Sequence, residues 1–121
     1  MGIRQRLLDT PADRVTPELA KTVGEFCAPL EAIRSAYVGL IEITHDFGYP
    51  EVQLGVAFEL AAPAAETPEG DRQLRLVADR FYDTLPEEIQ AGGCNFLEPG
   101  GITVWHEKAR QVFSRPGAAS P

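Results

Sequence analysis

Between Ala36 and Leu60 the chain reads AYVGLIEITHDFGYPEVQLGVAFEL, two apolar runs divided by a polar turn. Val52, Leu54, Val56, Phe58 and Leu60 fall at every second position, so an extended chain places all five on one face. Gln53, Gly55, Ala57 and Glu59 then fill the other. The preceding run is apolar on both faces, with Tyr37, Ile41 and Ile43 on one and Val38 and Leu40 on the other, as an interior strand requires. His45, Asp46, Phe47, Gly48, Tyr49 and Pro50 supply turn chemistry, since Gly tolerates positive φ and Pro has no amide to place in a ladder. The pattern predicts a β-hairpin. A hairpin alone is marginal in water, so its Val52 to Leu60 face must be the floor of a core that other elements cover.

Two helical stripes are the cover. Thr16, Pro17 and Glu18 form a helix start: Thr accepts from an orphan amide, Pro fits the first helical position and an acid suits the positive end. Leu19, Val23, Phe26, Cys27, Leu30 and Ile33 follow at spacings of three and four, with Pro29 ending or kinking the helix near Cys27. From Asp71, Leu74, Val77, Ala78, Phe81, Tyr82 and Leu85 make a second stripe, stopped by Pro86. Ala61 to Gly70, rich in Ala, Pro and acids, reads as a loop. Ile3 to Leu8 suits an edge strand, and Cys94 to Leu97 a short strand after Gly92 and Gly93. Ile102, Trp105, Ala109, Val112 and Phe113 fit helical spacing, whereas Ile102 and Val104 alone fit a strand; we read a short C-terminal helix.

The resulting order, β-α-β-β-α-β, predicts a single small α+β domain over residues 1–115 with a loose tail at 116–121. The expected architecture is an antiparallel sheet of about four strands with two main helices on one face, the split βαβ or ferredoxin-like layout.

Composition narrows the function classes. A hydrophobic fraction of 44% with 24% charged residues is an ordinary globular balance. The net charge of −7, with the basic residues scattered, argues against nucleic acid as a partner. The opening MGIRQRLLDTPADR has no continuous apolar core, and no stretch reaches the roughly 20 apolar residues of a membrane span, so a cytoplasmic location without a membrane partner is expected. Cys27 and Cys94 have no CxxC spacing and only two histidines accompany them, which makes no zinc set. No Walker loop, GxGxxG or HExxH occurs, and no cofactor is expected.

Three constellations could carry catalysis. Cys94 with His106 offers a thiol that an imidazole could activate, against the ordinary reading of a strand cysteine as a small buried hydrophobe. His45 beside Asp46 offers a base and its orienter, against two solvated turn residues. Glu87 and Glu88, adjacent after a proline, face solvent as sequence neighbours. Gly92-Gly93 and Gly100-Gly101 are turns before they are phosphate cradles.

A binding reading has more material. The sheet face opposite the helices carries Gln53, Gly55 and Ala57, beside either Val38 and Leu40 or Tyr37, Ile41 and Ile43, and small residues next to large apolar ones make a flat surface suited to another protein or a second copy. Trp105 and Phe113 either join that surface or fold over it. The candidate partner-binding residues are therefore Val38, Leu40, Gln53, Gly55, Ala57, Trp105, Phe113 and Arg115.

With these residues in place the chain resembles the C-terminal domain of the enhanced serine sensitivity protein family, SseB. The likeness rests on a helix leading through Leu30 and Ile33 into Ala36-Tyr37, on the hairpin with its apolar second strand, and on the closing Gln111, Val112, Phe113, Ser114 and Arg115. That ending is similar to the family's proline, aromatic and arginine motif, with Gln111 in the place of proline and Val112 in that of the aromatic. The resemblance implies a domain without established catalytic activity, linked by name to serine tolerance. The open sheet face points to a non-catalytic protein-interaction module, self-associating or docking on a protein partner through that face; the alternative is a small-molecule, amino-acid sensing domain, and a small enzyme using Cys94 and His106 comes third.

Overall fold

The computed structural model describes residues 4–45, 48–61, 68–90, 94–97 and 103–114, with the side chain of Glu88 excepted. In chain order the elements are β1 (Arg4–Leu8), a 3-10 turn (Ala12–Arg14), α1 (Pro17–Cys27), β2 (Ile33–Thr44), β3 (Glu51–Leu60), α2 (Pro68–Thr84), α3 (Glu87–Gln90), β4 (Cys94–Leu97), α4 (Val104–Lys108) and β5 (Arg110–Ser114). Ile3, Asp46, Phe47, residues 62–67, Gly92, Gly93, Gly100, Gly101, Ile102, Arg115 and the tail lie outside the described residues.

Local chemistry sets the helix ends. The Thr16 hydroxyl accepts the Leu19 amide at 3.1 Å, Pro17 takes the first helical position, and α1 stops at Cys27, ahead of Pro29. α2 starts at Pro68, three residues earlier than the stripe indicated, and ends at Thr84 before Pro86. Val77 and Phe81 are its buried residues, and Leu85 is buried just beyond it. Tyr82, expected in the stripe, is 53% exposed, because the four residues from Ala78 carry it past the edge of the buried face.

β2 and β3 form the expected antiparallel hairpin, with Val38 opposite Val56 and Leu40 opposite Leu54. A bulge between Ile33 and Ser35 lets both Ile33 and Ala36 point to the helices. The sheet itself differs from the expected antiparallel one. β4 pairs parallel with β3, and the sheet order is β1-β2-β3-β4, with β5 sharing the outer edge of β2. A ferredoxin-like order places β1 between β3 and β4 and makes every neighbouring pair antiparallel. Here β1 lies outside β2, so β4 is the direct neighbour of β3, and the crossover through α2 returns the chain in the same direction.

The C-terminal segment is also divided. Thr103 caps α4, which lasts five residues, and Ala109 leaves it with an extended backbone at φ −89° and ψ 170°. Val112 and Phe113 are therefore strand residues, and the Trp105, Ala109, Val112 spacing only imitates a long helix. The bulge in β5 at Val112 turns both Val112 and Phe113 toward the α1 side.

The main core lies between the sheet and α1, α2 and α3. Phe58 is its centre, with ring centroids 5.6 Å from Phe26, 6.0 Å from Phe81 and 6.3 Å from Phe96. A second, smaller cluster of Tyr37, Ala57 and Leu97 occupies the opposite face, where Trp105 and Ala109 pack on it. Among the described residues no helix is long and apolar enough to cross a membrane.

Candidate functional site: the sheet face beneath the fourth helix

Strand alternation sorts the expected binding residues onto two faces. Val38, wholly buried, is in the main core with Phe113 at its margin, and the buried Leu40 shares the Val38 face of β2, so these three are not part of the face that carries Gln53, Gly55 and Ala57. The partners of that face are Tyr37, Gly39, Ile41 and Ile43, and Trp105 joins it.

One glycine, Gly39, explains how α4 reaches the sheet. Gly39 and Gly55 are opposite one another on β2 and β3. A methyl group built on Gly39 would stand 3.2 Å from Trp105 Cζ3, 3.1 Å from Ala109 Cβ and 2.7 Å from Leu7 Cδ1. Only a residue without a side chain lets the indole and the helix settle so close to β2. The flat face expected from the sequence is therefore roofed by the chain's own helix over Tyr37, Gly39 and Ala57.

Beside α4 the roof is incomplete, and an open cleft of about 520 Å³ remains. β1 supplies Gln5, Arg6 and Leu7, β2 supplies Ile41, β4 supplies Asn95, and α4 forms a wall of Val104, Trp105 and Lys108. Gln5 and Leu7 share one side of β1; Arg6 is on the alternate side, where its guanidinium pairs with Glu42 at 3.0 Å. The Asn95 amide donates to the Val56 carbonyl at 3.2 Å, which leaves its side-chain oxygen to accept. Among the described residues the Lys108 ammonium has no ion-pair partner.

The other end of α4 sits on a buried polar pair. Ser35 Oγ donates to Glu59 Oε1 at 2.6 Å, a charge-assisted bond between residues 3% and 8% exposed. His106 Nε2 lies 3.9 Å from the same carboxylate oxygen, beyond hydrogen-bond reach, while its ring packs edge-on against Tyr37 at 5.0 Å. His106 Nδ1 accepts the Thr103 amide at 3.0 Å, so in the neutral ring the proton belongs on Nε2, facing Glu59. The carboxylate stands between hydroxyl and imidazole. A nucleophilic serine needs the imidazole there instead, so this geometry serves to hold α4 down rather than to activate Ser35.

The pairing of Cys94 with His106 read from the sequence does not assemble. Cys94 packs against the main core and burial pushes its thiol up to about 12, whereas His106 is on the opposite face. The sheet separates the two. His45 and Glu87 are exposed on the surface, and their partners are outside the described atoms. Among the described residues no three His, Cys, Asp or Glu side chains converge as a metal site would require.

Lys108, Asn95, Gln5 and Leu7 were not singled out by sequence reasoning, since their convergence depends on β1 and β4 lying at opposite edges of one sheet. Gly39 opposite Gly55 was the available signal, because glycine inside a strand marks the close approach of something else. No protein-family model, curated protein or solved structure matches the chain.

Proposed function

We propose that this chain is a non-catalytic binding module whose ligand sits in the cleft between α4, β1 and the uncovered part of the second sheet face. The observation that carries this reading is the cleft itself: about 520 Å³, apolar where Leu7, Ile41, Val104 and Trp105 line it, with Asn95, Gln5 and Lys108 at its polar positions. A concave, mostly apolar site with a few convergent polar groups is the usual form of a ligand pocket. The resemblance to the SseB C-terminal domain agrees with a role in binding rather than chemistry. Amide chemical-shift mapping against a library of small fragments tests the proposal. Saturable shifts clustered on Leu7, Ile41, Asn95 and the Trp105 indole support it; no shifts, or shifts confined to the α1 and α2 side, overturn it.

Protein docking or self-association is a second reading, favoured by Tyr49, 92% exposed, and Val52, 44% exposed, at the hairpin end. Sedimentation over a concentration series decides it for self-association. A mass that rises with concentration and returns to the monomer value in Tyr49→Ser supports this reading, and a constant monomer removes it.

A further inference from the structure

The charge of the cleft runs against that of the chain. The sequence has 18 acids and 11 Lys and Arg residues, yet the described residues lining the cleft include two bases and no acid. Arg6 is neutralised by Glu42 on the alternate side of β1. Lys108 has no ion-pair partner among the described residues. It is half-buried on the wall beside Trp105, and its backbone carbonyl accepts the Thr10 amide at 3.0 Å, which fixes the start of its side chain relative to β1. An ammonium held at the margin of an apolar cleft, unpaired among the described residues, is a receptor for an anion. The floor and wall limit which anion. Leu7, Ile41 and the indole offer apolar surface, and the volume suits a small molecule.

We infer that the cleft takes a small organic carboxylate, its apolar body against Ile41 and the Trp105 indole and its carboxylate on Lys108. This rests on the binding reading above and adds the chemical class of the ligand. Elsewhere the acidic surface disfavours anions, so the preference belongs to this site.

Trp105 is the single tryptophan of the chain, so all tryptophan emission comes from a wall of the cleft. The experiment titrates the full chain with cyclohexanecarboxylate and, separately, with its neutral isostere cyclohexanecarboxamide, following Trp105 emission. The expected result is saturable binding of both, with the acid about fivefold tighter. Lys108→Met should abolish that preference, the acid then binding no more tightly than the amide, and Lys108→Arg should keep it. Unchanged far-UV circular dichroism confirms that the variants fold. Equal binding of acid and amide to the unaltered chain overturns the carboxylate inference and leaves the cleft as a binding site. Acid preference that survives in Lys108→Met overturns the role of Lys108 as the anion's partner. No response to either compound overturns both the inference and the binding reading.

Discussion

The Thr10 hydroxyl accepts the Leu40 amide at 3.0 Å, and this hydrogen bond fills the break in the outer edge of β2 between β1 and β5. β1 pairs with β2 from Leu40 onward and β5 pairs with it up to Val38. Thr10 also donates its own amide to the Lys108 carbonyl and receives Arg110 Nε on its carbonyl at 2.9 Å. One residue thus ties together the edge strand, the central strand and the turn from α4 into β5. Thr10→Val keeps the shape but strands the buried Leu40 amide, at about 1–3 kcal/mol. Urea denaturation should show that loss, and Thr10→Ser should restore most of it.

Ser35 and Glu59 should behave as a coupled pair. Ser35→Ala leaves a largely buried carboxylate without its 2.6 Å donor, which should destabilise the fold by about 1–3 kcal/mol. Replacing both, as Ser35→Ala with Glu59→Val, removes the stranded charge along with its partner. The double variant should be more stable than Ser35→Ala alone, and a double-mutant cycle by chemical denaturation measures the difference.

Cys94 should be inert in the folded chain. Burial raises its thiol from 9.0 to about 12, so at mildly alkaline pH the native thiolate fraction is far below that of an unfolded thiol. Iodoacetamide should therefore modify native Cys94 at least roughly a hundredfold more slowly than the urea-unfolded chain. The same shift has a sign in stability. The folded pKa lies above the unfolded one, so this contribution is complete below about pH 9 and is lost as pH rises toward about 12. The stability of the unaltered chain relative to Cys94→Ala should fall across that window.

Gly39→Ala tests the close approach of α4. The added methyl meets Leu7 Cδ1, which can swing away, but also Ala109 Cβ and Trp105 Cζ3, which are held by the helix. The expected result is a loss of about 1–3 kcal/mol together with a red shift of Trp105 emission as the indole lifts toward water.

Much of the fold was legible in local pattern, and the site much less so. The alternation from Val52 to Leu60 marked the core face, although Val52 itself reaches past the helices and is exposed. Thr16, Pro29 and Pro86 marked helix ends because capping and proline geometry act within a few residues. Strand order was not legible. Whether β1 lies beside β2 or between β3 and β4 depends on contacts made across the whole chain, and five residues of Arg4–Leu8 do not encode it. The closing segment misled because Trp105, Ala109 and Val112 keep helical spacing across a boundary at Ala109. With β1 and α4 misplaced, the convergence of Leu7, Ile41, Asn95 and Lys108 could not be read, and the sheet face assigned to a partner was the one that Trp105 covers.

α4 lies against β2 through Trp105 and Gly39, and that contact both closes the flat face and makes the wall of the cleft. The most direct measurement is the nuclear Overhauser effect between the ring protons of Trp105 and the α-protons of Gly39 in solution. A strong cross-peak, with others from the ring to Ala109 and Leu7, is the predicted result. A Trp105 ring without cross-peaks to β2 would contradict the account.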